Sequence, residues 1–563
     1  MSLKLNLGEI IPEKSEKISF IEVIFLFSPF LMGLFNAWVC AAVSVVLSGY
    51  LIWQLSKNKK FTVTVTPITV AVGAYALMSL LSVIWAVDSG MAIFGFIKFL
   101  PVLLYLAVLM QQPEKLKNLF RLLPLTAAIM TVVSSVLMQI DFFEKYFAIH
   151  DRLAGFMQYS NVCALYLLVA VIFTFSKQRL EIIDIIYLII NIFGIIYTGS
   201  RTVFVLTALS AIAIIIFHKN KAVKFSVLGV SVFGIAAIAV YAKISGKLEF
   251  LRRLTDLSLS DHSVIYRLIF TKDALPTILA HPFGIGYKGY KFILPAIQTG
   301  KYSVLYAHND LTQMLLDVGF IPAIIFVVAI VFALFKKGTP WHKRLAIFVI
   351  CAHCMFDFDM QFSFMPIILV SLCYYDGGKK FELNKTWAIK TLAAICAVVS
   401  VYFGIADFLF YAVGPDRTVN FYSYHTEANL KLLNVSNTPN QINYYADKIL
   451  KTQSKNYNAL YSKAVYYYSV GNFKSVIYYM DMAVNEAPLL ESVYSEYAKL
   501  MIRGMELYKK SGDTESADVC YQKLKWVVDK WENIGDNVSY LGKKLPDQPD
   551  NTVPDEVKNA IKE

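Results

Sequence analysis

The chain has 563 residues, of which 57% are hydrophobic and 17% are charged, and its formal net charge is +12. Soluble domains are about 45–50% apolar and about 25% charged, so this composition indicates a protein that lies mainly in lipid. It excludes a disordered chain, a collagen-like fibre and a small disulfide-stabilised secreted domain. The spacing of the seven cysteines predicts neither a disulfide framework nor a zinc site.

Apolar windows of about 20 residues, long enough to cross a bilayer as helices, follow one another from residue 18 to residue 412. The sequence therefore predicts an all-α polytopic membrane protein with 12 to 13 transmembrane helices. The thirteen windows are 18–36, 37–55, 67–86, 91–110, 119–140, 160–176, 181–198, 201–217, 223–242, 311–335, 343–358, 363–376 and 386–412.

Lysine and arginine are concentrated in alternate connections between these windows. Basic connections stay in the cytoplasm, so the N-terminus is predicted to be cytoplasmic and the C-terminus extracytoplasmic. Most of the +12 charge is thereby explained by topology, and we expect no nucleic-acid partner. The basic connections hold Lys4, Lys14 and Lys17, then residues 57–60, 115–121, 177–179, 219–224, 336–344 and 379–390, whereas the opposite short connections hold Lys145, Arg152 and Arg201.

Two long segments lie on the predicted outer side. The first is a large loop, 243–310, and loops of this length are usually functional. The second is the tail, where the composition changes to Asn, Tyr, Lys and Ser with helical periodicity. We predict a transmembrane domain over 1–412 and an extracytoplasmic helical domain over 413–563.

The tail contains the pattern of one tetratricopeptide repeat. Small residues at its offsets let two helices approach, and aromatic residues fill the space between them. Because one repeat cannot bury its own face, neighbouring helices are expected at 440–451, 491–510 and 514–530. A general helical cap and a docking surface for a partner protein both remain open. The repeat positions are Leu460, Ala464, Tyr467, Gly471, Phe473, Ala483 and Pro488.

Polar residues at a membrane face are costly and therefore are candidates for function. Four outer segments concentrate them. These are 151–161, the tight turn 198–202, the long loop through His281 to His308, Asn309 and Asp310, and the last outer turn with His353, Asp357, Asp359 and Gln361.

These four segments resemble, over residues 150–375, the bacterial family of O-antigen ligases, O-antigen polymerases and protein O-oligosaccharyltransferases. The matching motifs are Arg152, Gly155 and Asn161; Ser200 and Arg201; Arg267 with Pro282, Gly284 and Gly286; and His308 and Asn309 followed by Gly319. The family pattern has Gly, Thr or Tyr three residues after the glycine, where this sequence has Pro322. The acidic residue before that glycine is often Glu in the family and is Asp317 here.

The resemblance implies that a glycan is transferred from an undecaprenyl-pyrophosphate carrier to an acceptor hydroxyl at the outer face of the bacterial inner membrane. Arginine suits the leaving pyrophosphate because its guanidinium is a planar donor that stays protonated. Histidine suits the removal of the proton from the acceptor hydroxyl because its pKa lies near the working pH. We expect catalytic roles for His308, Arg201 and Arg267, and substrate binding by Arg152, Asn161, Ser200, Asn309, Asp357 and Lys98.

Structural alternatives apply to the same residues. The arginines could hold phospholipid head groups, and His308 with Asn309 could cap a helix. Asp357 and Asp359 have the spacing of a metal-binding pair, but three arginines would make a cation redundant, so we predict no metal or other cofactor and a hydrogen-bonding role for Asp357. Lys98 could reach the carrier phosphate or extend to the membrane interface.

The acceptor remains open between a glycolipid (ligase), a lipid-linked repeat unit (polymerase) and Ser or Thr of a protein, with protein transfer ranked third. The contrasting class is a polysaccharide transporter or flippase, for which two similar halves with broken helices would be expected. A scaffold that organises envelope enzymes would leave the loop motifs unexplained. Expected partners are the lipid-linked donor, the acceptor, membrane lipids and a protein bound by the tail.

Overall fold

The computed structural model describes residues 18–245 and 262–562. The predicted basic residues Lys4, Lys14 and Lys17, and part of the predicted outer loop, lie outside the described residues. The helices up to residue 412 are α1 Phe20–Phe27, α2 Ala37–Asn58, α3 Pro67–Leu81, α4 Ser89–Gln111, α5 Leu123–Leu137, α6 Asp141–Phe147, α7 Ser160–Thr174, α8 Ile182–Thr198, α9 Arg201–Phe217, α10 Lys221–Ser245, α11 His262–Ala280, α12 Gly289–Ile297, α13 Asp310–Val318, α14 Phe320–Phe335, α15 Trp341–Cys354, α16 Phe364–Cys373 and α17 Thr386–Ala412.

The tail continues with further helices in close succession. They are α18 Pro415–Phe421, α19 Thr426–Asn434, α20 Pro439–Thr452, α21 Tyr457–Ser469, α22 Phe473–Glu486, α23 Glu491–Ser511, α24 Thr514–Glu532 and α25 Asp555–Lys562. Short 3-10 turns occur at Ser28–Phe30, Met32–Leu34, Ser82–Ile84, Pro113–Lys117, Asp359–Gln361, Ile534–Asn537 and Gly542–Lys544, and the strands are β1 Phe61–Val65, β2 Ala148–Ile149, β3 Arg152–Leu153 and β4 Lys379–Leu383.

The predicted helical membrane architecture is confirmed, but the count of 12 to 13 spans is not. Within the described residues, four helices are long and apolar enough to cross a membrane: Ala37–Asn58, Pro67–Ile84, Ser89–Gln111 and Thr386–Ala412. Shorter apolar helices are Phe20–Phe30, Leu123–Leu137, Ser160–Thr174, Ile182–Thr198, Arg201–Phe217, Phe320–Phe335 and Phe364–Cys373. The predicted windows 223–242 and 343–358 are also helical, in α10 and α15.

One predicted span is divided in two. The window 311–335 forms α13 and α14, which are separated at Gly319. Gly319 has φ +80°, a left-handed conformation that an α-helix cannot contain and that glycine adopts without a steric penalty. The predicted outer loop also contains two helices, α11 and α12, rather than irregular chain alone.

Helices α7 and α16 form the centre of the bundle. Every residue of α16 is buried. In α7 every residue except Asn161 is buried. A helix that is apolar all round is stable only when it is surrounded, which places these two helices inside the others. Asn161 lies in the first turn of α7, so the buried core leads directly to the polar end of the bundle.

Connections predicted to share a side of the membrane also contact each other. β1 pairs antiparallel with β4, and the Nε2 atom of His218 lies 3.2 Å from the carbonyl oxygen of Lys177. Both contacts join connections that the sequence assigns to the basic side. The connections that the sequence assigns to the outer side meet at the opposite end of the bundle, where the candidate site lies. Which end faces the cytoplasm stays a prediction.

The tail forms antiparallel helix pairs, and the helices expected at 440–451, 491–510 and 514–530 are present with slightly longer bounds. Leu460 and Ala464 on α21 and Phe473 and Ala483 on α22 are buried in one apolar cluster of the tail. Gly471 makes the turn between these helices with φ +74°. The assignment of these pairs to the tetratricopeptide class stays a prediction.

Candidate active site

Arg152 links three segments at the polar end of the bundle. It lies on β3, which follows a turn formed by His150 and Asp151 with positive φ angles of 50° and 60°. Its Nε donates to the carbonyl oxygen of Thr198 at 2.6 Å, and its Nη2 donates to Oδ1 of Asn161 at 2.9 Å. The guanidinium thereby joins the β3 segment to the first turn of α7 and the last residue of α8.

Asp357 accepts hydrogen bonds from several of these groups. It lies three residues beyond the end of α15 at Cys354, and its side chain is 2% exposed. Oδ2 accepts from Nδ2 of Asn161 at 2.6 Å, and Oδ1 accepts from the Tyr159 hydroxyl at 2.9 Å and from the Phe358 amide at 3.0 Å. These donors hold the carboxylate in one orientation.

The surroundings of Asp357 favour its ionised form. Burial alone would raise the pKa of the carboxyl, but contact with His308, the charge of His353 and the Asn161 hydrogen bond outweigh burial and lower the pKa of Asp357 below its usual range. A carboxylate therefore faces His308.

His308 stands at the end of the outer loop with its ring against Asp357. Its Nδ1 lies 3.4 Å from Oδ1 of Asp357, and its side chain is 24% exposed. The backbone of His308 has φ +49°, an uncommon conformation for a residue other than glycine. The rings of Phe358 and Phe270 flank the imidazole, with centroids 4.9 Å and 5.8 Å away.

Asn309, rather than His308, caps the following helix. Its Oδ1 accepts from the Thr312 amide at 3.0 Å, and its Nδ2 donates to the carbonyl oxygen of Met355 at 3.0 Å. The helix-capping alternative is thus satisfied by Asn309 alone. The imidazole of His308 is not needed for capping, and Asn309 ties the end of the loop to the turn that carries Asp357.

Arg201 and Arg267 converge on the hydroxyl of Ser263. Arg267 donates to it from Nη1 at 2.7 Å, and Arg201 donates to it from Nη2 at 3.3 Å. Nε of Arg267 also donates to the carbonyl oxygen of Phe356 at 2.6 Å. Two cations from α9 and α11 are therefore held beside the turn that contains Asp357.

Ser200 is buried in the turn that directly precedes Arg201. It occupies the N-cap position of α9, and its amide lies 3.4 Å from Oγ1 of Thr198. Thr198 therefore contacts both the Ser200 amide and the side chain of Arg152. This turn fixes the separation of the two arginines.

Lys98 is placed apart from the other candidates. Its side chain is buried on α4, where Nζ lies 3.4 Å from the Tyr287 hydroxyl and 4.6 Å from the centre of the Phe35 ring. Tyr306, also near Nζ, packs on Phe358 at 5.1 Å. An aromatic layer thus lies between Lys98 and His308.

The glycines of the loop motif have a structural role. Gly284, Gly286 and Gly319 all have positive φ angles, of 79°, 80° and 80°. The Phe320 amide donates to the carbonyl oxygen of Pro282 at 2.9 Å, and a Cβ on Gly319 would overlap that same oxygen. Close backbone packing between the two motifs therefore sets the position of α13, which follows His308.

Sequence reasoning missed two of the residues in this arrangement. Tyr159 was recognised only as part of a polar segment, although it hydrogen-bonds Asp357. Ser263 carries no signal in the sequence, which predicts only a large loop in this region. Once α11 is known, its position one helical turn before Arg267 explains the contact.

A family model described as O-Antigen ligase matches residues 186–327, about a quarter of the chain. The match supports the O-antigen ligase family and, together with the apolar helices, a membrane-bound, glycosyltransferase-like enzyme. It includes Arg201, Arg267 and His308, whereas Arg152 and Asp357 lie outside it. No curated protein matches the chain.

Proposed function

We propose that the protein is a glycosyltransferase that moves a glycan from undecaprenyl pyrophosphate to an acceptor hydroxyl at the outer face of the bacterial inner membrane. The observation that carries the proposal is that His308 faces a buried carboxylate while two arginines converge on one hydroxyl nearby. His308 with its carboxylate partner suits the removal of a proton from the acceptor hydroxyl. The two arginines suit the binding of an anionic leaving group.

His308 acts as the base or as the group that orients the acceptor. With Nδ1 turned toward Asp357, Nε2 on the other side of the ring is directed away from the carboxylate. A carboxylate in this position fixes the tautomer and stabilises the imidazolium that forms when the acceptor loses its proton. The 3.4 Å separation is longer than an ordinary hydrogen bond, and such contacts tighten when substrate binds.

Arg201 and Arg267 bind the pyrophosphate and neutralise the charge that develops as the glycosidic bond breaks. Both donate to Ser263 Oγ, so an anionic oxygen beside this hydroxyl would find two guanidinium groups. Arg152 holds Asn161 and Thr198 beside them. Preorganised charge of this kind is often the largest contribution to catalysis, and it requires no metal at the leaving group. A single displacement inverts the anomeric centre.

The helical tail gives a partial indication of the acceptor class. A glycolipid acceptor and a lipid-linked repeat unit are ranked equally, and protein transfer is ranked behind them. The helical tail, as a tetratricopeptide-like domain on the outer side, favours an acceptor or partner that is itself a polymer or a protein.

The test is a transfer assay with the purified full-length protein, a lipid-linked glycan and each class of acceptor. Wild type forms a new glycosidic bond, whereas His308→Ala and Arg201→Ala lose transfer. Equal activity in both variants would refute the site assignment. Proteoliposomes distinguish the transporter class, because translocation of carrier-linked glycan without bond formation would refute the enzyme proposal.

A further inference from the structure

A second polar cluster lies beside the His308 site and takes no part in the proposed transfer. Ligand atoms of Asp310, Cys354 and Asp359 all lie within 4.8 Å of one another. All three residues are buried, and Asp359 is 0% exposed. They come from three different places: the start of α13, the end of α15 and the 3-10 turn after it.

Each carboxylate in this cluster has one engaged oxygen and one that is not. Oδ2 of Asp310 accepts from the Met360 amide at 3.0 Å, and Oδ2 of Asp359 lies 2.6 Å from Nδ1 of His353. Oδ1 of each residue is buried and has no nitrogen or oxygen hydrogen-bond partner among the described residues, and the thiol of Cys354 lies beside both carboxyl groups. Such atoms are rare because desolvation without a partner costs free energy. Each such atom needs an explanation, and a bound cation is one.

We propose that Asp310, Cys354 and Asp359 bind one divalent cation of the zinc type. Zinc accepts mixed thiolate and carboxylate ligands, whereas calcium and magnesium select oxygen ligands alone. Two buried carboxylates this close repel each other when both are ionised, and a cation between them removes that repulsion. On binding, the thiol of Cys354 and any protonated carboxyl group release their protons to solvent.

The surroundings provide for the remaining coordination position. Three protein ligands leave a fourth position for water in a tetrahedral site. A small cavity lined by Asp310, Tyr75, Met360 and Gln361 adjoins the cluster and offers polar partners to such a water. His353, held against Asp359, orients that carboxylate as an outer hydrogen-bonding partner does in metal sites.

The cation would position the transfer site without touching its substrates. Cys354 and Asp359 flank Asp357 in the chain, and Asp310 follows His308 and Asn309. A metal bound to all three therefore clamps the turn that carries Asp357 to the segment that carries His308. This role goes beyond the proposed function and departs from the sequence-based expectation of no metal.

The experiment measures metal in the full-length protein purified in detergent without chelators. We expect about one zinc per chain by elemental analysis in the wild type. Cys354→Ser loses that zinc, whereas Cys351→Ser, the matched control one helical turn earlier and outside the cluster, retains it. Cobalt chloride added to chelator-treated wild type produces thiolate-to-cobalt absorption, which is absent in Cys354→Ser. Chelator lowers the thermal unfolding temperature of the wild type, and zinc chloride restores it.

Three results would overturn the proposal. The first is a wild type that contains no zinc and takes up neither zinc nor cobalt, because a proton shared within the cluster then explains the geometry. The second is a Cys354→Ser protein that keeps its full zinc. The third is an equal loss of metal in Cys351→Ser. If Cys354→Ser does not fold, the wild-type zinc content and cobalt spectrum still decide the question.

Discussion

Nδ1 of His308 faces Oδ1 of Asp357 at 3.4 Å, although the two residues come from different connections of the bundle. Asp357 is already held by Tyr159, Asn161 and the Phe358 amide, so its position does not depend on His308. The carboxylate is therefore fixed by groups other than the imidazole that faces it.

Asp357→Asn is expected to lower the transfer rate about 100-fold, because the amide cannot stabilise an imidazolium or select the productive tautomer. The measurement is the initial rate of glycan transfer in single and double variants. If Asp357 acts through His308, the double variant Asp357→Asn with His308→Ala is no slower than His308→Ala alone. Additive losses would contradict this coupling.

The matched control for this change is Asp376→Asn. Asp376 pairs with Lys380 at 2.8 Å, and both side chains are nearly half exposed. It lies in the connection between α16 and α17, at the other end of the bundle. Its substitution should leave the transfer rate unchanged, and a loss there would point to a general effect of removing a carboxylate.

Arg267→Lys should reduce transfer about 100-fold even though the charge is kept. One ammonium group cannot bond both the Phe356 carbonyl oxygen and the Ser263 hydroxyl, which the guanidinium of Arg267 does. The control is Arg344→Lys, because Arg344 donates to the carbonyl oxygen of Lys336 at the opposite end and lies away from the site. Equal transfer rates for Arg267→Lys and wild type would contradict a bidentate role.

The sequence alone predicted a helical chain with apolar spans and proposed several residues of the candidate site. Apolar length and the charge of the connections are local properties, so Arg152, Arg201, Arg267 and His308 could be selected before any contact was known. The structure brings them to the same end of the bundle.

The features that could not be predicted from the sequence depend on packing between segments that are distant in the chain. The break at Gly319 follows from packing against Pro282, which no periodicity reveals. Lys98 has the right charge and depth for a phosphate ligand, yet aromatic rings from two other segments surround it. The convergence of Asp310, Cys354 and Asp359 needs three chain segments, so cysteine spacing alone could not suggest it.

Gly319→Ala should impair folding more than Gly338→Ala does. Both glycines have positive φ angles, 80° and 88°, so alanine is strained at each, and Gly319 also has ψ −170°, a region essentially restricted to glycine. A Cβ on Gly319 would also overlap the backbone of Pro282 and Phe283, whereas a Cβ on Gly338 meets nothing within 4 Å among the described residues. The Gly319→Ala protein should therefore unfold at the lower temperature of the two. Equal destabilisation would contradict it.

Glu427→Gln should weaken the docking of the tail on the outer loop. Glu427 on α19 accepts from Lys288 and Lys291 at 2.6 Å each, and the side chains of Glu427 and Lys288 are 11% and 9% exposed. Removing one charge from a buried pair leaves the other uncompensated and costs about 3–5 kcal/mol. The control Glu382→Gln breaks the exposed pair with Lys60, which contributes at most about 1 kcal/mol.

The pH dependence of the same contact has a defined sign. Burial would raise the pKa of Glu427, but the charges of Lys288 and Lys291 lower it to about 2. Since this pKa lies below the unfolded value of about 4.3, the contribution is fully present above that value and is lost as the pH falls toward 2. The unfolding temperatures of wild type and Glu427→Gln should therefore differ at pH 7 and converge as the pH is lowered from about 4 toward 2. A difference that grows on acidification would mean that the tail is held by other contacts.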